Sequence, residues 1–518
     1  MNGFINLLEF IFASLTFLIY TVFVSKRYIH MLQLNSYYPS RYIHWIRENK
    51  KNLLTFSAAV PALAGLLFFA EKAIFPLAIF IYIILIFARD KKKAKKPLVY
   101  TSRVKRLYVP LYVLYALAVC FAGMFCNSVP YISVFIYAFA GLITPYLVLA
   151  ALIINKPAER LINLHYYNDA KKKLRSMNGL IVIGVTGSYG KTSTKYILTR
   201  LLSEKYNVLM TPGSYNTTLG VVRTIREQLK STHQIFVVEM GAKNKGDIKE
   251  ICNLVNPKYG IISSIGPQHL ETFKTIENII DAKFELGDAV KANGGIMFLN
   301  YDNDYIKSRN FDGQKITYGF SECADYKTSL IKASERGTEF SVNGFSYQTK
   351  LLGKLNAVNI AAAVAVCEKL GVSPNDIAVA VRRLESTPHR LQLIHSPKYI
   401  VIDDAYNSNP QGAKSALETL SAFSERKILV TPGMVELGAK QEELNKEFGR
   451  QAAASADYIV LVGEKQAGPI KEGVIEAGFD KTRLYVAKNL EDALAFLQGI
   501  TDVPSVVLLE NDLPDNFL

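Results

Sequence analysis

Residues 181–198, IVIGVTGSYGKTSTKYIL, set a glycine-bearing turn between a β-branched apolar run and a helical one. The run of Ile, Val and Gly reads as a strand, Gly187 and Gly190 fall in the turn, and Lys191-Thr192 open the helix. Backbone N–H groups of such a turn can wrap a triphosphate, and the helix N-terminus adds positive potential. The spacing predicts nucleotide binding by Thr186, Gly187, Ser188, Tyr189, Gly190, Lys191, Thr192 and Ser193. Lys191 would reach the β- and γ-phosphates and the Thr192 hydroxyl would sit on Mg²⁺. The common phosphate loop has glycine five residues before Gly190, where this chain has Val185. The other reading of the stretch is a structural turn beside a solvated lysine.

From Gly179 onward, short β-branched runs alternate with amphipathic helical patterns. The runs include IFVVEM, YGIISSI, GIMFL, YIVIDDA, KILVTPG, YIVLVG and SVVLLEN. That alternation predicts parallel sheets flanked by helices. A chain of 518 residues exceeds one core, and two such series predict two α/β domains, residues 179–386 and 387–518, with a seam near Leu384–Pro388.

The first third is different. Apolar runs occupy about residues 4–24, 53–70, 73–88, 107–126 and 129–154, and runs near 20 residues suffice to cross a bilayer as helices. The formal charge of +15 gathers beside them: residues 1–160 hold 18 Lys and Arg against 5 Asp and Glu, and the rest is nearly balanced. This placement fits a membrane surface and argues against a nucleic-acid groove. Basic residues follow the first and third runs, from Lys26 to Lys51 and from Arg89 to Arg106. Because positive loops stay inside, the reading is a multi-pass cell-membrane region over 1–155 with five spans and the N-terminus outside. A connecting helix over 156–178 then leads to cytoplasmic catalytic domains. The first run has no basic leader, carries Glu9 and lacks a cleavage site, so it is not expected to be a signal peptide. Five cysteines without CxxC spacing read as free thiols and set up no metal cluster.

Ligands of open α/β sheets gather at strand carboxyl ends, so the polar residues there are the candidates. Glu239 closes IFVVEM and reads either as a Mg²⁺ ligand beside Thr192 or as a solvated carboxylate. His269 lies in the loop GPQHLETF and Lys283 on a helix; alone, each reads as a surface residue. Asn216 in TPGSYNTTLG and Asn356 and Asn359 in GKLNAVN are amides that could equally be caps. Arg390 in TPHRLQ stands between the two halves, where a cation can swing onto a phosphate. Asp403, Asp404 and Asn407 cluster in YIVIDDAYNSNP, where adjacent carboxylates suit a nucleotide hydroxyl, a cation or a helix cap.

The ordered set TGSYGKTS, TPGSYNTTLGV, EMGA, IGPQHLETF with AKFEL, GKLNAVN, PHRLQ and DDAYNSNP resembles the Mur ligases over about residues 179–518. These are ATP-dependent amide-bond ligases of peptidoglycan precursor synthesis, and the motif forms look most like the branch that adds D-alanyl-D-alanine to the UDP-muramoyl-tripeptide. The resemblance implies a P-loop ATPase domain followed by a Rossmann-like domain, ATP with two Mg²⁺ ions, and an acyl-phosphate intermediate. It implies Thr192 and Glu239 on the first Mg²⁺, His269 on the second, and a carbamylated Lys283 as a carboxylate-like ligand. Lys191, Lys283, His269 and Arg390 would be catalytic. Asn216, Asn356, Asn359, Asp404 and Asn407 would line the nucleotide and substrate cleft. The partners implied are a peptide-bearing envelope precursor and an amino acid or dipeptide.

The chain also departs from that pattern. Leu355 stands where the family has His, the C-terminus reads VLLENDLPDNFL without a basic KGSR-like segment, and apolar runs replace the soluble UDP-gripping domain. The last departure leads to the expectation of an acceptor presented at the membrane. Rival readings are a membrane-bound polyglutamate-type ligase and a nucleotide-dependent scaffold of envelope assembly.

Overall fold

A computed structural model describes residues 2–49, 74–87, 97–268, 270–396, 398–406, 408–463 and 467–512. The chain forms two compact units, one of residues up to Leu164 and one of His165–Leu513.

The first unit is helical. The helix Asn2–Leu34 turns Phe10, Ala13, Phe17 and Tyr20 inward and leaves Leu8, Phe12, Leu15 and Ile19 exposed. Its inner face packs on Tyr82, Tyr115 and Tyr137. Buried hydroxyls are paired there, as Tyr115 with Thr144 at 2.9 Å. The short helix Pro39–Glu48 buries Tyr42, Trp45 and Ile46 on one face.

Among the described residues five spans do not appear. Ile5–Leu34 and Ser102–Gly123 are long and apolar enough to cross a membrane. The 129–154 run is broken at Ile143 into Pro130–Leu142 and Thr144–Arg175, which meet at 70°. Pro145 explains the break: it lacks the N–H that would bond back to Gly141 O, so it opens the second helix instead of continuing the first. Ile74–Phe87 has 14 residues, about 21 Å of helix against a hydrocarbon core of about 30 Å. The 53–70 run lies outside the described residues. Among the described residues there are therefore two such helices, or three if the bent pair is one span.

The second unit holds two sheets. The first contains β1 (Ile181–Thr186), β2 (Val208–Met210), β3 (Ile235–Glu239), β4 (Tyr259–Ile262), β5 (Ile296–Asn300), β6 (Lys315–Gly319), β7 (Tyr326–Ser334), β8 (Gly337–Val342) and β9 (Phe345–Thr349), in the order 2-3-1-4-5-6-7-8-9. Strands β2 to β7 pair in parallel, and β7 to β9 continue as an antiparallel extension. β1 lies between β3 and β4, Val185 aligned with Glu239 and Ile261, so the glycine turn emerges at the centre of the parallel region. Its apolar run without alternation is what a strand covered on both faces requires. Helices Lys191–Leu202, Lys354–Lys369 and Pro374–Arg382 cover one face, and Thr218–Glu227, Asp247–Val255 and Ile276–Ala292 the other. Lys354–Lys369 is buried almost all round, and its alanines let it lie against β5, β6 and Lys191–Leu202.

The second sheet contains β10 (Gln392–His395), β11 (Ile400–Asp404), β12 (Arg426–Thr431), β13 (Tyr458–Val462), β14 (Leu484–Ala487) and β15 (Ser505–Glu510), in the order 10-11-15-12-13-14. Only β10 is antiparallel to its neighbour. β15, the last strand, inserts between β11 and β12, which sets Glu510 beside Asp404. Thr217, Thr275, Ser373 and Asn409 cap their helices with side-chain oxygens, and Pro374 and Pro410 occupy first helical positions.

Candidate active site

The turn after β1 needs its glycines. Gly187 and Gly190 have φ of 151° and 76°, and a Cβ on Gly187 would lie 2.2 Å from Ser263 Oγ. A Cβ on Gly190 would lie 2.9 Å from Asn359 Oδ1. The segment following β4 buttresses the turn: Ser188 N donates to Ser264 O (2.7 Å), Tyr189 N to Ser264 Oγ (2.8 Å), and Ser188 Oγ to Gly266 O (3.1 Å). Thr186 is buried and donates to Met240 O. Gly190 stands at the N-cap of Lys191–Leu202, so the first helical N–H groups face the cleft unpaired within the helix.

Lys191 curls over this turn, donating to Gly187 O at 2.6 Å and Ser188 O at 3.0 Å. Desolvation brings its amine down to about 8, with the Glu239 carboxylate opposing the shift and the Arg390 guanidinium adding to it. Thr192 Oγ1 donates to Glu239 Oε1 at 3.2 Å, and Asn216 Nδ2 donates to the same oxygen at 3.0 Å. Glu239 Oε2 lies 3.0 Å from Lys195 Nζ in a pair whose side chains are 1% and 0% exposed. Lys195 also donates to Gly213 O. Burial lowers the Lys195 pKa, and Glu239 partly restores it.

Sequence reasoning missed Lys195. Its only signal is a lysine in a buried register, beside Thr194 and one turn before Leu198. Thr194 in turn donates to Asn359 Oδ1 at 3.1 Å, tying the helix to Lys354–Lys369. Asn356 is not a helix cap: Gly353 holds that position, and Asn356 Nδ2 donates to Leu352 O.

Lys283 is no surface residue. It is 3% exposed and makes no hydrogen bond or ion pair with a described residue. Desolvation first, then the Lys191 charge, hold its pKa well below the ordinary lysine value, against the pull of Asp247, Glu285 and Glu239. His269 and Asn407 lie outside the described residues.

From the second sheet, Arg390 reaches the same cleft. It lines a polar cavity of about 140 Å³ with Lys191, Thr192, Asn216 and Glu239. It also lines a neighbouring cavity of about 370 Å³ with Ser193, Tyr196, Asn356 and Arg383. Its guanidinium stacks 4.3 Å from the Tyr406 ring centroid. Asp403 and Asp404 do not point at a ligand site as free carboxylates. Asp404 Oδ1 accepts from Leu391 N at 3.1 Å, Asp403 Oδ2 meets His389 Nδ1 at 2.7 Å, and Asp403 Oδ1 accepts from Ala405 N.

Two mainly parallel α/β sheets that share a polar cleft, in a chain with an apolar helical region, define the class. Comparison with known proteins makes it specific. Residues 185–367 match the Mur ligase middle domain, and residues 389–510 match the Mur ligase glutamate ligase domain. The UDP-N-acetylmuramoyl-tripeptide–D-alanyl-D-alanine ligase of Bacillus subtilis (strain 168) is 34% identical over 333 residues, 63% of this chain and 71% of that protein. The Escherichia coli (strain K12) ligase of the same description is 31% identical over 60% of this chain and 70% of its own length. Among solved structures, MurF from Acinetobacter baumannii superimposes with a TM-score of 0.61 at 28% identity, covering 67% of this chain and 77% of that one. MurF of Thermotoga maritima in complex with ADP gives 0.59 at 28% identity, covering 68% and 80%. The chain belongs to the Mur ligase family.

Proposed function

We propose that this protein is an ATP-dependent carbon–nitrogen ligase of peptidoglycan precursor synthesis, joining D-alanyl-D-alanine to a muramoyl-tripeptide. The observation that carries the reading is the convergence of Lys191, Thr192, Glu239 and Asn216 from one sheet with Arg390 from the other on a single polar cleft. Relatives of that description support it, and the ADP complex of a relative supports the nucleotide.

In this reading the glycine turn and Lys191 hold the β- and γ-phosphates. A substrate carboxylate oxygen attacks the γ-phosphorus, the bond to the β-phosphate oxygen breaks, and ADP leaves. The donor amine then attacks the acyl carbon, phosphate departs, and the amine proton passes to solvent. Lys191 and Arg390 neutralise charge that builds on the transferred group, the largest contribution such a site can make. The half-buried setting of both cations strengthens that effect, because low dielectric screens charge poorly.

Thr192 and Glu239 present a hydroxyl and a carboxylate 3.2 Å apart. Such oxygen donors fit a hard divalent cation, and when bound Mg²⁺ would polarise the phosphate oxygens. A second ion would draw on His269 and Lys283. Lys283 suits carbamylation because burial favours its neutral amine. The amine nitrogen attacks CO₂, forming an N–C bond and releasing one proton, and the product is an anion that a cation can offset. Asn356, which lines the cavity of about 370 Å³, would seat the nucleoside together with Asn359; Leu355 stands where the family has an imidazole. On this reading residues 179–386 and 387–518 act as ATP-binding and C-terminal ligase domains.

The apolar helices Ile5–Leu34 and Ser102–Gly123 support a membrane location, with the catalytic part on the cytoplasmic side and the acceptor presented on a lipid carrier. Purified full chain, given ATP and D-alanyl-D-alanine with either the UDP-linked or the lipid-linked muramoyl-tripeptide, tests both statements. The expected result is ADP release coupled to a mass-identified pentapeptide on the lipid-linked acceptor. Turnover of the soluble acceptor alone would remove the membrane reading; ATP breakdown with no amide product on either would remove the ligase reading.

A further inference from the structure

The C-terminal end of β15 carries a buried acid that the ligase reading does not use. Glu510 is 1% exposed and stands in register beside Asp404 of β11. Its Oε1 accepts from Ser408 Oγ, and its Oε2 is buried with no donor of its own. Asp404 is its in-register neighbour, and the Asp404 charge acts on it. Two acids buried side by side favour holding a proton between them, because neighbouring like charges cannot readily both ionise. Asn511, the next residue, accepts from Ser408 N at 3.2 Å and donates to Gly433 O at 2.6 Å. The end of β15 thus grips the loop that follows Asp404.

Asp404 passes this grip onward. With Asp403 it clamps the turn 389–391 on either side of Arg390, one through Leu391 N and the other through His389 Nδ1. The turn needs clamping: His389 and Leu391 both take left-handed φ, 59° and 46°, a backbone conformation unfavourable for residues with a Cβ. Arg390 therefore keeps its place over Tyr406 and in both cavities only while the acids hold their shape. We propose that Glu510 is a positioning residue that, by sharing a proton with Asp404, aims Arg390 into the cleft.

Burial, then the Asp404 charge, raise the Glu510 carboxyl well above the ordinary range, and burial raises Asp404. The charged groups facing the pair are Arg390 on the turn and Asp403 on β11, with His389 beyond Asp403. The assignment rests on the nucleotide reading only for what Arg390 touches; the clamp itself is independent of it.

Hydrogen exchange of the full chain tests the clamp directly. In Glu510→Ala the Leu391 and Ser408 amides should exchange roughly tenfold faster or more, the effect of losing a hydrogen bond to a charged group. Glu510→Gln, whose amide can donate to Asp404 and accept from Ser408, should restore protection. ADP affinity tests the aim. Glu510→Ala and Arg390→Ala should each weaken ADP about tenfold, and the double variant no more than Arg390→Ala alone, since coupled residues are not additive. The wild type should lose ADP affinity toward alkaline pH as the shared proton leaves, and Glu510→Gln should not. Unchanged exchange at Leu391 in Glu510→Ala would overturn the proposal, as would additive effects on ADP or parallel pH profiles of the wild type and Glu510→Gln. If Glu510→Ala does not fold, exchange at Leu391 in Glu510→Gln with rising pH decides: it should stay slow where the wild type quickens. A wild type that fails to bind ADP would count against the nucleotide reading and leave exchange to judge the clamp.

Discussion

The strand ends of the two sheets are electrostatic opposites. At the ends of β1 and β3, the Glu239 carboxylate acts on Lys191 and Lys195, and Lys283 of the helix Ile276–Ala292 feels it together with Asp247 and Glu285. At the ends of β11 and β15, Asp404 and Glu510 share one guanidinium, Arg390, while Asp403 beside them meets His389. Burial acts on both and pushes each majority group toward neutrality: lysine pKa values fall, and those of Asp404 and Glu510 rise. The excess cation of the first cluster is open to the cleft and suits a phosphate. The excess acid of the second is turned inward, onto backbone N–H groups and a shared proton, and serves to hold a cation that the first cluster needs. On the two proposals above, one site binds by its surplus charge and the other uses its surplus to fix a loop.

Removing Lys191 should break the first cluster's function most. Lys191→Ala is expected to lower kcat/KM by about 10²–10³-fold, the loss seen when one preorganised donor to developing charge is deleted, with steady-state ADP release as the measurement. A loss of less than fivefold would mean the turn does not hold phosphate.

Next comes the buried pair. Glu239→Gln leaves the Lys195 charge uncompensated at a fully buried position and should cost about 3 kcal/mol in chemical denaturation. The double change Glu239→Leu with Lys195→Met should cost far less, because no charge remains buried. Equal losses would show that Lys195 is not held by Glu239.

The pH dependence of stability separates the clusters by sign. At Lys191 the unfolded chain binds more protons than the folded one between about 8 and 10.5, so stability rises with pH across that window. At Glu510 the folded state binds more protons above the ordinary value of 4.5, so stability falls as pH climbs toward its raised pKa. Lys191→Met should reduce the first slope and Glu510→Gln the second, in denaturation series at fixed ionic strength. Slopes that move together would dissolve the contrast.

The smallest effect belongs to the rim of the acid cluster. Asp403→Asn should change kcat/KM by no more than about fivefold, because its partner His389 is largely exposed and such pairs are weak. A larger loss would move Asp403 from clamp to chemistry.

Much of this was legible in the linear chain. The eight β-branched runs quoted above all form strands, because continuous apolar residues bounded by Gly, Asn or Pro can only be satisfied between two helical layers. Gly187 and Gly190 announced the turn, and the ordered motifs announced the family. The strands not read were β2, β6 to β9, β10 and β14, which are short, mixed in polarity or at sheet edges, where side chains carry little periodic signal. The bend within the 129–154 run was not legible because hydropathy sums composition and takes no account of Pro145.

Residue types and their order determined the alternation of elements, the glycine turn and the apolar character of the first third, since each is a local consequence of backbone freedom or side-chain transfer energy. What only the tertiary structure decided is which polar groups lose water together. Lys195 against Glu239 and Glu510 beside Asp404 join residues tens to over a hundred positions apart, and Lys283 is buried with no hydrogen bond or ion pair to a described residue. Desolvation and charge coupling depend on distance in space, and no periodicity along the chain encodes that distance.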